Sequence, residues 1–120
     1  MNLRRALCAA LGTGLVLAAA APALGHVEVT TTSPKTGAVV AHLPNPVKIN
    51  FGEPPLRVMS VKVTRATVNH AVRARLNPKN AKQILVGTRD DRAGLYRVAW
   101  TIKAPDGDTQ TGTFSFRVRR

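Results

Sequence analysis

The strongest constraint on the fold is a period-two alternation of apolar and polar residues that recurs from Val27 onward, with breaker residues between the runs. In one run, Val47, Ile49 and Phe51 would share one face, since successive side chains of a strand point to opposite sides. The other runs span residues 27–32, 59–65, 68–76, 83–86, 95–103 and 111–118. No segment sustains a helical period of 3.6. Short alternating runs with turns between them predict an all-β fold, an antiparallel β-sandwich of about seven strands.

Tyr96 indicates how these strands are connected. It enters a late strand directly after a loop, which resembles a tyrosine corner, where a buried hydroxyl bonds back to the preceding loop of a Greek-key sandwich. Its alternate neighbours Val98 and Trp100 would then face inward. We interpret these aromatic residues as core packing without chemistry.

The first 25 residues have the features of a secretory signal peptide. Arg4 and Arg5 precede an apolar, Ala/Leu-rich run over residues 6–21, and Pro22 with small residues follows. The run is short for a membrane span, and no stop-transfer charges follow it. An uncleaved anchor is the alternative. Residues 26–120 then form the single domain.

Two positions fit signal cleavage. Cleavage after Gly25 would make His26 the first residue, whereas cleavage after Ala23 would leave Leu24 and Gly25 ahead of it. Local pattern slightly favours the position after Ala23. Removing the leader lowers the formal charge from +12 to +10, since 16 basic and 6 acidic residues remain.

Several classes of function lack their sequence signatures. The one cysteine, Cys8, lies in the leader, which excludes an internal disulfide or a Cys-based zinc site. A phosphate-binding loop, a nucleophile elbow and an HExxH motif are all missing. We therefore predict that the protein is not an enzyme. Basic residues are dispersed over many strands and no aromatic stacking platform is visible, so a nucleic-acid partner is disfavoured.

His26, Asp106 and Asp108 are the candidate metal ligands. A free N-terminal histidine chelates one ion through its α-amine and imidazole, and two carboxylates complete a tetragonal N,O set that suits Cu(II). Binding would fall below neutral pH, because an α-amine of pKa about 7.7–8.0 must lose its proton. The alternative is that Asp106-Gly107-Asp108 is simply a turn, since Asp-Gly between two strands is a common hairpin signal.

The other histidines and the methionine, although their side chains could ligate a metal, are predicted to have structural roles. His42 and His70 lack ligand-like neighbours, so both are predicted to be surface or turn residues. Met59 alternates with Val61 and Val63 and is predicted to lie in the core, not to ligate a metal.

Four segments in order make the chain similar to the CopC family of periplasmic copper-binding proteins. They are a signal peptide leading to His26, the turn at residues 32–37, the strand end at residues 49–54, and residues 95–116 with their Asp-Gly-Asp turn. The resemblance implies an Ig-like Greek-key sandwich of seven strands. It also implies copper binding in the periplasm, beside a CopD-like membrane copper transporter.

In that family Cu(II) is held by the mature N-terminal histidine and an aspartate-histidine turn. His26 and Asp106 match these positions, which favours cleavage after Gly25, but Asp108 replaces the family's histidine and should weaken binding. The family's methionine-rich Cu(I) loop has no counterpart, since Met59 is the only methionine after the leader.

Two functions therefore remain open. One is a monomeric periplasmic protein that binds copper for buffering, resistance or delivery to a transporter. The other is an Ig-like interaction module with a degenerate copper site, which binds an anionic partner through its basic surface.

Overall fold

The computed structural model of the protein describes residues 26–119, so the predicted signal peptide lies outside the described residues. This part of the chain is built of strands and turns. The strands are β1 (Val29–Ser33), β2 (Val39–Val40), β3 (Val47–Phe51), β4 (Arg57–Arg65), β5 (Val68–Asn69), β6 (Ala71–Asn77), β7 (Asn80–Thr88), β8 (Gly94–Lys103) and β9 (Thr109–Val118). Across residues 26–119, no helix has the length and hydrophobicity needed to cross a membrane.

The strands form two sheets, one of four strands in the order β1-β3-β7-β6 and one of five in the order β2-β9-β8-β4-β5. All pairs are antiparallel except β2 with β9, which is parallel. The chain crosses between the sheets after β1, β2, β3, β5 and β7, as expected of a Greek-key sandwich. With β2 and β5 only two residues long, seven longer strands remain, and the predicted fold class is confirmed.

The core lies between the sheets and consists of the inward-facing residues of the alternating runs. Val47, Ile49 and Phe51 are at most 2% exposed, as the alternation predicted. Val98 and Trp100 are also buried, and Trp100 meets Phe51 edge-on with ring centroids 5.2 Å apart. Both sheets and this core are formed by residues within the described range 26–119.

Tyr96 forms the predicted tyrosine corner. Its hydroxyl donates to the Arg92 carbonyl at 2.7 Å and accepts the Arg92 N–H at 3.3 Å. The ring is fully buried and stacks on Phe116, with centroids 5.4 Å apart. The hydroxyl thereby attaches the β7–β8 loop to the core through two backbone hydrogen bonds.

The prediction that Met59 lies in the core was wrong, because its side chain is 46% exposed. Between Val58 and Ser60 the pairing of β4 with β8 shifts register, and Met59 is the extra residue of this bulge. A bulge breaks the strict period of two. Val58 therefore turns partly inward before the alternation resumes at Val61.

The prediction that His70 is a surface or turn residue was also wrong, because it is only 2% exposed. Its backbone N–H donates to the Val63 carbonyl at 2.7 Å. Its ring Nδ1 lies 2.9 Å from the Arg89 carbonyl, which only accepts, so Nδ1 is the donor. The ring also packs edge-on against Tyr96 at 5.1 Å. His70, which directly precedes β6, thus links β4 to the β7–β8 loop.

Candidate metal site

The N-terminal segment of the domain is attached to β9 through Gln110. The Val27 N–H donates to Gln110 Oε1 at 2.7 Å, and Gln110 Nε2 donates to the Val27 carbonyl at 2.8 Å. Val27 itself is 3% exposed and belongs to the core. These contacts place His26 at the rim of the sandwich, exposed and beside the first residues of β9.

The turn that precedes β9 carries Asp106 and Asp108. The Ala104 N–H donates to the Asp108 carbonyl at 2.8 Å, and the Gly107 N–H donates to the Ala104 carbonyl at 2.8 Å. Asp106 Oδ1 accepts the Asp108 N–H at 3.0 Å. Gly107 has a φ of 90°, a conformation that glycine adopts without a steric penalty. The segment is therefore the predicted hairpin turn, and both of its carboxylates remain exposed.

The structure brings His26, Asp106 and Asp108 to the same end of the sandwich, because Gln110 is two residues after Asp108 in the chain. It does not gather the three side chains themselves. Among residues 26–119, no three His, Cys, Asp or Glu side chains lie close enough together to hold a metal ion. The segments that carry the candidate ligands are adjacent, since Val27 and Gln110 are hydrogen-bonded to each other.

Two further acidic residues line a depression together with His26. A surface depression of about 310 Å³ is lined by His26, Glu28, Gly52 and Glu53. The Gly52 N–H donates to the Glu28 carbonyl at 2.8 Å, which joins the start of β1 to the end of β3. Sequence reasoning did not select these glutamates, because only the pairing of β1 with β3 brings them together.

The acidic residues are unevenly distributed. All six lie outside the strands, and four of them are at the His26 end. These four are Glu28, Glu53, Asp106 and Asp108. These four carboxylates favour a cation beside His26, and they lie among cations of the same end, including Arg57 and Lys103.

The other two acids lie in the β7–β8 loop, at the opposite end. Asp91 accepts from the ring of His42 at 2.8 Å through Oδ2 and from the Leu43 N–H at 2.8 Å through Oδ1. The His42 side chain is 77% exposed, as predicted for a surface residue. This pair ties the segment before β3 to the β7–β8 loop, which is a structural role.

The sequence matches the CopC domain family over residues 29–119. The fold is similar to that of PcoC, a methionine-rich copper resistance protein from Escherichia coli, with a TM-score of 0.68 and 24% identity over 78% of this chain and 99% of that one. It is also similar to CopC from Methylosinus trichosporium OB3b, with a TM-score of 0.67 and 21% identity over 78% of this chain and 93% of that one. No curated protein sequence gives a significant match. The family match spans both sheets, and the chain belongs to the CopC family.

Proposed function

We propose that this protein is exported to the periplasm and binds Cu(II) as cargo through His26, Asp106 and Asp108. Membership of the CopC family supports copper as the metal. The observation that carries the site is the pair of hydrogen bonds between Val27 and Gln110, which holds the N-terminal segment beside the Asp106–Asp108 turn. Cleavage after Gly25 would convert His26 into a bidentate ligand at that place.

The donor set suits Cu(II). The α-amine and imidazole of His26 supply two nitrogens, and the aspartates supply oxygens, which together make a tetragonal N,O set. Glu28 and Glu53 line the depression beside His26 and offer further oxygen donors. All the donor residues are exposed, so their side chains reorient toward a metal without breaking core contacts.

The methionine content of the chain argues against a Cu(I) site of thioether ligands. Soft thioethers select Cu(I), and a site of this kind needs several methionines. PcoC is described as methionine-rich, whereas Met59 is the only methionine here after residue 25. We infer that Cu(II) is the bound state.

The role that fits this site is copper handling without catalysis. An exposed, acid-rich rim allows a metal to enter and leave, as a buffer or carrier requires. A monomeric carrier of this kind would contribute to copper resistance or pass its metal to a CopD-like membrane transporter. A nucleic-acid partner stays disfavoured, because every aromatic residue of the described chain is buried and none is available for base stacking.

Titration of the processed protein with Cu(II) tests the site. A preparation that begins at His26 is expected to give an electron paramagnetic resonance spectrum with nitrogen and oxygen ligands at one copper per chain. Nα-acetylation should remove the chelate and greatly weaken binding. Absence of protein-bound copper at protein concentrations well above a competing chelator would refute the proposal.

Replacement of Asp108 by histidine separates a working site from a degenerate one. If His26 and Asp106 already bind Cu(II), the added imidazole nitrogen should raise the affinity by about tenfold, equivalent to ~1.4 kcal/mol. Competition with a chromophoric chelator measures the change. No change in affinity would favour the interaction-module function over the copper function.

Replacement of Gln110 by alanine tests the attachment of the N-terminal segment. Without the two hydrogen bonds to Val27, His26 should no longer be held beside the turn. Cu(II) affinity should then fall by about tenfold, which is the loss typical of replacing a residue that positions a metal ligand. Gln83 is the matched control, since its side chain also makes two hydrogen bonds, to Asn50 and Asn77. Gln83→Ala should cost similar stability, and an equal loss of copper affinity in both variants would contradict the assignment.

A further inference from the structure

The outer face of the five-stranded sheet carries several cations and no acid. The strands of the protein contain none of its six carboxylates. Along β4, β8 and β9 the residues that alternate with the buried ones include basic side chains. These are Arg57, Lys62, Arg97, Lys103 and Arg117. This face therefore has an uninterrupted positive charge.

Three of these cations form a line across three strands. Arg117 of β9 is paired with Leu95 of β8, and Arg97 lies two residues further along β8. Lys62 of β4 is paired with Ala99, again two residues beyond Arg97. Diagonal neighbours of this type have Cα atoms roughly 7–8 Å apart. Lys62, Arg97 and Arg117 thus form a diagonal row of exposed charges.

Exposed apolar side chains flank one end of this row. Leu95 and Val39 are paired with Arg117 on either side, and they are 53% and 54% exposed. A depression of about 440 Å³ beside them is lined by Lys62, Thr64, Ala66, Leu95, Arg97 and Ala99. We call Val39, Lys62, Leu95, Arg97 and Arg117 the basic face.

We propose that the basic face docks the protein on an anionic phospholipid bilayer, with the cations on the lipid phosphates and Leu95 and Val39 at the headgroup boundary. Basic residues mixed with apolar ones are the composition that binds such surfaces. The charges of a sheet face are spread over an area. Such a face can contact many phosphates of a bilayer surface at once, whereas a single acidic side chain of a protein would engage only one of its cations. The proposal is independent of copper, since it requires no metal.

The opposite sheet provides a matched comparison. Its outer face carries Lys48, Arg73 and Arg75, which are also exposed and also lack acidic neighbours within their strands. Its exposed apolar residues, Val29 and Val72, lie on the edge strands β1 and β6, whereas Leu85 of the central strand β7 is half-buried. The basic face differs in having an exposed leucine, Leu95, on its central strand β8. Removing three charges from either face leaves the same net charge.

Cosedimentation with vesicles tests the proposal. The processed protein, residues 26–120, is expected to bind vesicles of equal parts phosphatidylglycerol and phosphatidylcholine, to ignore pure phosphatidylcholine, and to dissociate as salt is raised. Joint replacement of Lys62, Arg97 and Arg117 by serine should lower partitioning about 100-fold. Joint replacement of Lys48, Arg73 and Arg75 by serine should change it by no more than about threefold. Equal losses in both variants, or no binding to anionic vesicles, would overturn the proposal.

A fluorophore reports the orientation independently. The processed chain has no cysteine, so Leu95→Cys provides a single attachment site on the basic face. An environment-sensitive dye there should shift to the blue on anionic vesicles, whereas a dye at Val72→Cys, on the other sheet, should not. Binding to soluble polyglutamate through the basic face, without binding to vesicles, would replace the bilayer by an acidic protein partner and overturn the proposal.

Discussion

Replacement of Gly112 by alanine is expected to lower the free energy of unfolding by about 3 kcal/mol. A Cβ at this position would lie 2.2 Å from Cζ2 and 2.5 Å from Cε2 of Trp100, far inside van der Waals contact. Trp100 is paired directly with Gly112 across β8 and β9, and its ring covers the glycine backbone. The indole is only 7% exposed and abuts Phe51, so it has little space into which to move.

Thermal unfolding followed by circular dichroism measures this loss. For a domain of this size, 1 kcal/mol corresponds to about 4–8 °C, so the melting temperature should fall by more than about 10 °C. Gly87→Ala is the control, because Gly87 also lies in a strand and its Cβ would meet only ordinary contacts at 3.8 Å. That variant should stay within about 0.5 kcal/mol of the parent. Equal melting temperatures for the two variants would contradict the steric role of Gly112.

The Trp100 contact can be isolated by a second substitution. If the clash with the indole causes the loss, Gly112→Ala should cost much less in a Trp100→Leu background than in the parent. The two residues touch, so their effects should be strongly non-additive, with a coupling of roughly 1–3 kcal/mol. Additive losses would mean that the glycine is needed for its backbone instead.

Replacement of Asp106 by asparagine is expected to weaken Cu(II) binding by at least about 100-fold, since it removes a proposed ligand and not merely a supporting residue. The fold should be preserved, because asparagine Oδ1 can accept the Asp108 N–H, as Asp106 Oδ1 does at 3.0 Å. The second oxygen becomes an amide nitrogen, which does not donate to a metal. Chelator competition measures the affinity, and thermal unfolding measures the fold.

Asp90→Asn is the matched control for this charge change. Asp90 lies in the β7–β8 loop at the opposite end, 3.9 Å from Arg89, and both side chains are about two-thirds exposed. Such a pair contributes little to stability. Its φ of 60° suits asparagine as well as aspartate. A similar loss of copper affinity in both variants would indicate a general charge effect, and unchanged affinity in Asp106→Asn would remove Asp106 from the site.

Much of the fold was predictable because alternation is a local signal. The runs ending at Phe51, Lys103 and Val118 were correctly assigned, since each has one face in the core. Met59 and His70 were not, because each depends on a contact outside its own run. Met59 points outward because it lies on a bulge in the pairing of β4 with β8. His70 is buried with its ring hydrogen-bonded to the Arg89 carbonyl of the β7–β8 loop.

The candidate site also contains residues that the sequence identified and residues that only the structure brought to it. His26 and the Asp106–Asp108 turn were identified from residue types and from the resemblance to the CopC family. The sequence contains Glu28 and Glu53 among its six acidic residues, but it did not predict that they lie near His26. That position depends on the pairing of β1 with β3. The ligand set itself remains a prediction for the copper titration to test.

The sequence by itself determined that this chain is a β-sandwich, that basic residues are dispersed over its strands, and that an Asp-Gly-Asp turn precedes the last strand. These properties follow from local order, since period-two burial and turn chemistry act over a few residues. Only the tertiary structure decided which turns meet. Gln110 reaches Val27 across 83 positions of the chain, and that contact brings the predicted N-terminal ligand to its turn. Local preferences cannot encode it, because a polar side chain has the same hydrogen-bonding capacity toward any backbone, and packing of the two sheets selects the partner.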